Sequence, residues 1–555
     1  MKNKNYLCYL VIFLFTFSYF CFFGINDYLI SDDTIYHTSN ILVMSKEISF
    51  LNLIPGKIMP TLVNNLGYGV NLFYPIFPHL VGSYLVRIFD LFGIGIAGVM
   101  KFMHFMVIFL SGAFMYKYII TAFKDRKQAL LSAIIYQSMP YLFTDVFMRG
   151  ALNESFLFIY LPIIFLGFYY LFESRETNKF YFCFVIGYSL LICSHLVLAI
   201  YLTILLIPFL LIYYKKLFKK DNILKLIIGS ILILLITSNF WGPLLEHNLL
   251  KNYYILNLEY VDSMDVEVAN VLYYFFPLKF SNVRPSYFLL FFISPVCLFF
   301  IVCNYFMIYK KKILKKHYRI LGGVALFLLM SIIVASSSSL WKFVPNMLKN
   351  IQFTWRLALF VAFGASVLGG YSIKLFNNNF QKKILLIVIS FSVISNLWLS
   401  SKLEYVDVKK IEFLKDSCCH LQWSYEYLPV VAKRNSLHLY NKRLDLGNMA
   451  INNNVEIIEN DVPNMKFKIS NLDSSINIEF PRIFYLGYKL KDEDNKEIKL
   501  YQNDFGLLSA VIDKEGIYYL EYEGTLIDRI TKVLSFITLF GFIIYFCFYK
   551  FKKRS

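Results

Sequence analysis

The sequence is short of charge. Asp, Glu, Lys and Arg make up 17% of its 555 residues, against 58% hydrophobic and 19% aromatic, whereas soluble domains carry about 25%. That deficit excludes an ordinary soluble globular enzyme. Acids are scarcest, 37 against 55 Lys and Arg. A net charge of +18 on a soluble domain would suggest nucleic acid. Here the basic residues sit in short clusters between long apolar runs, as orientation in a bilayer requires, so no nucleic-acid partner is expected.

Metal-ligating patterns are also lacking. Seven of the nine cysteines (Cys8, Cys21, Cys183, Cys193, Cys297, Cys303, Cys547) lie in apolar runs, where cysteine behaves as a small hydrophobe. The adjacent pair Cys418-Cys419 closes on itself only with strain, and with His420 it lacks the two-part spacing of a zinc site. The eight histidines are scattered singly. No metal and no cofactor are expected, although two adjacent acids, Asp32 and Asp33, have the oxygens that a divalent cation takes. No internal repeat is visible. No small-x-small cleavage site follows the first apolar run, residues 6–25, which reads as an uncleaved first span.

What the sequence has is apolar length. Runs able to cross a bilayer fall at 6–25, 97–121, 128–147, 153–172, 179–196, 197–214, 223–243, 287–309, 319–336, 357–376, 383–400 and 529–549, roughly twelve transmembrane helices. With these bounds the clusters Lys2/Lys4, Lys124/Arg126/Lys127, Arg175/Lys179, Lys215/Lys216/Lys219/Lys220, Lys310–Lys312 with Lys315/Lys316, Lys382/Lys383 and Lys550/Lys552/Lys553/Arg554 share one face. That face is the cytoplasm, with both termini on it. Residues 72–92 contain Pro75, Pro78, His79, Arg87 and Asp90, which are costly in lipid. They read as an interfacial or re-entrant helix on the outer face, with an extra span as the alternative.

Three domains follow. Residues 1–400 form a transmembrane domain with a large first outer loop (26–96). Residues 401–528 lie outside, and 529–555 supply the last helix and a basic cytoplasmic tail. In the second, VEIIEND, MKFKIS, INIEF, IFYLGYKL, KEIKLY, LLSAVI and IYYLEYEG are short alternating runs separated by turn residues. An extracytoplasmic antiparallel β-sandwich of roughly 100 residues fits them.

Acids beside a membrane span are functional candidates, because burying them is expensive. SDDTIYH, residues 31–37, admits two readings. Ser31 or Asp32 caps a helix with Asp33 in its first turn, or the acids do chemistry. A helix from there would put Asp33, His37 and Asn40 on one face. Three more polar clusters map to the same side: Arg149, Gly150 and Glu154 in DVFMRGALNES, Ser194-His195, and Gln352, Trp355 and Arg356 in KNIQFTWRLALF. Each has a plain structural alternative: a snorkelling arginine with its acid, a structural histidine, and interfacial Trp and Arg. Their convergence, with Tyr36, Tyr68, Phe73 and Tyr74 near the first, describes a cavity for a ligand with an anionic head and a lipid tail.

The motif order matches a known family. An acidic first outer loop, GYG…FYP, RGALNE, SH, IQFTWR and EYLP precede an outer β-domain and a last span. The chain thereby resembles the bacterial membrane proteins labelled 6-pyruvoyl-tetrahydropterin-synthase-related. It is also similar to the lipoteichoic-acid glycosyltransferase family of the GT-C superfamily. Residue by residue, Asp33 matches the first-loop aspartate, His37 the histidine after it, and Gly67, Gly69 and Tyr74 the GYG…FYP segment. Arg149, Gly150 and Glu154 match the RGALxE turn and His195 the histidine after the fifth span. Gln352 and Arg356 match the QFPWR box, and Glu426, Tyr427 and Pro429 the EYLP box. Asn40 stands where the family often has arginine and Thr354 where it has proline. Both departures bear on substrate rather than fold. The pterin label does not extend to chemistry, since single histidines form no zinc triad.

The resemblance implies a GT-C-like polytopic α-helical membrane fold. It implies inverting transfer of a sugar from a polyprenyl-phosphate-linked donor to a glycan or protein acceptor of the cell envelope, at the bacterial cell membrane. The base would be Asp33, with Asp32 as substitute. Arg149 and Arg356 would meet the departing phosphate, Glu154 would orient Arg149, and His195 or His37 would add a hydrogen bond. A flippase for a lipid-linked intermediate and a non-catalytic envelope scaffold are the competing functions. A flippase should show repeats and a charged path through the midplane, which the sequence does not.

Overall fold

The computed structural model describes residues 2–49, 52–250, 252–256, 266, 268–271, 295–309, 313–349, 351–407, 426–434, 454–472 and 474–552. Cys418-Cys419-His420 and the first part of the 287–309 span fall outside these residues. The chain divides into two compact units: residues 1–34, 89–234 and 264–408, and residues 35–88, 235–263 and 409–555.

The first unit is helical. Ile96–Phe123, Leu152–Ser174, Lys315–Ser336, Thr354–Leu375 and Asn378–Ser400 are each long and apolar enough to cross a membrane, as is Leu526–Tyr549 in the second unit. Lys220–Ile236 and Ser238–Leu250 qualify only when taken together, and Asn5–Phe17, Thr177–Ile192, Leu196–Ile212 and Leu298–Met307 are shorter apolar helices. The expected count of twelve is not reached among the described residues. One reason is local. In place of a single span at 128–147, helix Arg126–Gln137 is followed by a short helix Pro140–Phe143 and a wide turn Thr144–Met148. Met139 is extended, at φ −65° and ψ 127°, as a residue before proline tends to be, and Pro140 has no N–H with which to continue the ladder.

Leu157–Tyr169 is buried from Leu157 to Phe168, and Ala358–Tyr371 is buried on every side. Helices that are apolar all round belong in an interior. Their contact is aromatic: Phe165 lies 4.4 Å from Phe363, 5.1 Å from Phe209 and 5.2 Å from Phe327. Strand β1 (Asp27–Leu29) pairs antiparallel with β2 (Tyr405–Asp407), which anchors the residues leading into SDDTIYH.

The second unit contains helix Thr34–Glu47 from residue 35 onward, helix Phe77–Asp90 up to residue 88, and a β-sandwich. The 14 residues of Phe77–Asp90 span about 21 Å, short of the ~30 Å hydrocarbon core. The remaining strands are β3 (Val455–Glu459), β4 (Met465–Ile469), β5 (Ile476–Ile483), β6 (Tyr488–Lys491), β7 (Glu497–Ile498), β8 (Tyr501–Gln502), β9 (Leu507–Ile512) and β10 (Gly516–Tyr522). They form an antiparallel sheet ordered β3-β4-β10-β6-β7 and another ordered β5-β9-β8. KEIKLY, read as one strand, is two: β7 ends in one sheet and β8 begins in the other. IFYLGYKL breaks at Gly487, whose φ of +102° suits only glycine.

Alternation sets the core. Met465, Phe467 and Ile469 are buried while Lys466 and Lys468 face outward, the period of a half-buried strand. Leu62, Leu66, Tyr68, Val70 and Leu72 join the same core. Gly69 lies against Tyr485, and a Cβ there would sit 2.7 Å from the ring. Gly69→Ala is therefore expected to destabilise this unit by about 1–3 kcal/mol through overpacking, measured as a lower thermal midpoint of the purified protein.

Candidate active site

The segment DVFMRGALNES folds as a wide turn, a glycine corner and a short helix. Arg149 N–H donates to the Thr144 carbonyl at 2.8 Å, five residues back. This extra-residue loop widens the helix end and puts the side chains of Asp145 and Arg149 together. Gly150 follows at φ +65°. Ala151 N–H donates to the Asp145 carbonyl at 3.0 Å, and Leu152–Ser155 then turns as a short helix.

Arg149 is held on three sides. Its Nη1 donates to Asp145 Oδ1 at 2.5 Å and to Glu154 Oε2 at 2.8 Å. Its guanidinium stacks over Trp355, 4.5 Å from the ring centre. Tyr141 O–H donates to Glu154 Oε1 at 2.5 Å, so both oxygens of Glu154 accept. Asp145 is 0% exposed, Glu154 2% and Arg149 8%. Arg356 approaches the same oxygen of Glu154 that Arg149 binds, with Nε 3.5 Å from Oε2, and its Nη1 donates to the Ile351 carbonyl at 3.0 Å. Arg356 Nε is buried and has no hydrogen-bond partner.

Asp33 meets this cluster through its backbone. Its N–H donates to the Arg149 carbonyl at 2.7 Å. The approach is close because Gly150 has no side chain: a Cβ there would overlap Ser31 Oγ and Thr34 Oγ1. Burial pushes the Asp33 carboxyl above the usual carboxylate range. Arg149 and Arg356 partly offset this, while Asp32 and Glu154 add to it. Asp32 is exposed.

The sequence-derived site residues separate. Asp33, Arg149, Glu154 and Arg356 gather in the first unit. His195 is nearby in charge terms, within electrostatic reach of Glu154 and Arg356; its Nδ1 accepts the Leu198 N–H at 3.4 Å and caps Leu196–Ile212. Gln352 adopts a left-handed φ of +61° at the turn before Arg356. Thr354 has a working hydroxyl: it donates to the Ala335 carbonyl at 2.5 Å and accepts the Ala269 N–H at 2.8 Å.

His37 and Tyr74 belong to the second unit. There His37 Nδ1 lies 2.7 Å from His79 Nε2, and the Tyr74 ring stacks on His79 at 6.0 Å. The helix expected to include Asp33 starts at Thr34. Asp33 therefore sits in the turn before it and does not share a helical face with His37 and Asn40. Its N–H is taken by Arg149, a partner the local sequence does not reveal.

Sequence reasoning passed over Asp145 and Tyr141 and read Trp355 as interfacial, whereas Trp355 is 8% exposed and forms the plate under Arg149. The four-residue spacing of Asp145 and Arg149 was the available signal. Among the described residues no group of three His, Cys, Asp or Glu side chains is arranged to hold a metal ion.

No family model and no curated protein matches the chain. Solved structures do. The arabinofuranosyltransferase AftD from Mycobacteria is similar at a TM-score of 0.47 and 12% identity, over 73% of this chain and 28% of that one. ArnT from Cupriavidus metallidurans is similar at 0.45 and 11%, over 70% and 63%. The oligosaccharyltransferase of Archaeoglobus fulgidus is similar at 0.43 and 13%, over 72% and 55%. This chain spans less than two thirds of the length of each. These are likenesses in chain course, and none bears on what the site acts on.

Proposed function

We propose that this chain is a GT-C-type glycosyltransferase of the bacterial cell membrane. It moves a sugar from a polyprenyl-phosphate-linked donor to an extracytoplasmic acceptor of the cell envelope, with inversion. Asp33 takes the proton of the acceptor hydroxyl as that oxygen attacks the anomeric carbon. The bond from that carbon to the phosphate oxygen breaks, and its electron pair leaves with the polyprenyl phosphate. Arg356 meets the charge that develops there. Glu154 orients the two guanidiniums, and His195 and Gln352 complete the donor-binding set. The basic clusters favour cytoplasmic termini and an outer β-rich domain.

The observation that carries this reading is the 2.7 Å bond from Asp33 N–H to the Arg149 carbonyl. It holds the half-buried Asp33 within electrostatic reach of the Arg149 and Arg356 guanidiniums. Supporting it, the first-loop aspartate, RGALNE and IQFTWR, far apart in sequence, share one charge cluster. The resemblance to the lipoteichoic-acid and pterin-synthase-related membrane families supplies the donor class.

The test uses the purified chain in nanodiscs with undecaprenyl-phosphate-linked sugars extracted from host membranes. Release of undecaprenyl phosphate together with a glycosylated acceptor is expected. Translocation of the intact lipid-linked sugar without release points to a flippase, and neither event leaves a scaffold; both overturn the reading. Arg356→Gln is expected to lower kcat about 10²-fold, read in the same assay.

A further inference from the structure

We propose that Asp145 is a positioning residue for Asp33, acting through Arg149; this rests on Asp33 being the base. Asp145 grips the RGALNE turn twice. Its side chain binds Arg149 Nη1 at 2.5 Å, and its carbonyl accepts the Ala151 N–H at 3.0 Å. Between those two contacts lie Arg149, whose carbonyl holds Asp33 N–H, and Gly150, pressed against Ser31 and Thr34. The part of the turn that touches Asp33 is thus bracketed by one residue.

The clamp is rigid for electrostatic reasons. A fully buried carboxylate is strongly destabilising without its counter-ion, so Asp145 commits Arg149 to one rotamer. Glu154 binds the same Nη1 at 2.8 Å, and Trp355 closes the flat face at 4.5 Å. Arg149 is held by the protein rather than left for a substrate. Asp145 Oδ2 is buried with no hydrogen-bond partner. A residue serving stability alone would not leave such an acceptor unmet, whereas functional sites tolerate that cost.

Asp145→Asn keeps the shape and one acceptor and removes the charge. The groups that bear on Asp33 are Arg149, Arg356, Asp32, Glu154 and Asp145 itself. The full chain in nanodiscs is treated with dicyclohexylcarbodiimide, which modifies protonated carboxyls, across a pH series. Labelling of the Asp33 peptide is followed by mass spectrometry, and kcat and KM are measured with undecaprenyl-phosphate-linked sugar. The expected result is a kcat lowered about tenfold to a hundredfold by loss of geometry, with KM unchanged. The Asp33 labelling curve moves, since the turn no longer holds Asp33 at its present distance from Arg149 and Arg356.

An unchanged kcat overturns the proposal. So does a fall in kcat with an unmoved labelling curve, which is what general destabilisation gives. If the wild-type chain transfers no sugar, the base reading fails, and the labelling curve alone still decides whether Asp145 acts on Asp33.

Discussion

Asp33→Asn is expected to lower sugar transfer by about 10²–10⁴-fold, the range for removal of a general base, while the protein still inserts and folds. The companion expectation concerns stability. Burial raises the Asp33 pKa above the ordinary carboxylate range. A carboxyl raised on folding contributes stability that is fully present below its unfolded pKa and lost as pH rises through the raised value. At neutral pH the ionised Asp33 therefore opposes folding, and Asp33→Asn should unfold at the same temperature as wild type or higher. Loss of transfer without loss of stability is what separates a catalytic acid from a structural one. The pH profile follows the same sign. The rate rises with pH as Asp33 ionises, and that limb lies above the ordinary aspartate range. Arg356→Gln removes a cation that favours the ionised form and moves the limb higher still. A full rate in Asp33→Asn, or a limb at the ordinary aspartate pKa, contradicts the assignment.

Arg149→Ala is expected to behave in the opposite way, with stability lost first. It leaves Asp145, 0% exposed, without its guanidinium and Glu154, 2% exposed, with only Arg356 at 3.5 Å. Breaking a buried pair by removing one partner costs about 3–5 kcal/mol. The variant should be poorly recovered from membranes, with a sharply lower thermal midpoint in detergent. Combining Arg149→Met with Asp145→Asn and Glu154→Gln removes the stranded charges and should restore much of that stability without restoring transfer. Arg149→Lys keeps the charge but loses the planar stack on Trp355 and should fall between them. A near wild-type midpoint for Arg149→Ala would show that the carboxylates do not depend on this guanidinium.

Much of the helical layout could be read from composition and period alone, because a run of about 20 apolar residues has few options in lipid. Leu152–Ser174, Thr354–Leu375 and Leu526–Tyr549 lie close to the apolar runs that announce them. The failures are where a local feature overrides hydropathy. Pro140 splits one run into helix and wide turn. Gly487 cuts a strand, and the step from Lys499 to Leu500 passes KEIKLY between two sheets. The site was legible as residue types and not as contacts. Asp33, Arg149, Glu154 and Arg356 stand out because charge is rare here. That Asp33 is bonded by its backbone rather than seated on a helical face depends on a tertiary hydrogen bond, which no periodicity encodes. Asp145 was hidden because an acid in an apolar run beside an arginine reads as an ordinary ion pair. Its significance lies in its own carbonyl, which accepts the Ala151 N–H two residues beyond the side chain's target.

The contact between Gly150 and the Ser31–Thr34 corner also sets an order of assembly. Asp33 leaves the ribosome well before Arg149, a delay of roughly 10 s at about 5–20 residues per second, and Arg356 follows later. Until then the acid has neither its backbone partner nor its guanidinium neighbours, and the first loop must wait in an unfinished state. Nascent chains arrested before the RGALNE turn should leave SDDTIYH open to proteases, and chains arrested just beyond that turn's arrival should protect it. Biogenesis thus keeps the acid unarmed until the helices that govern it are in the membrane.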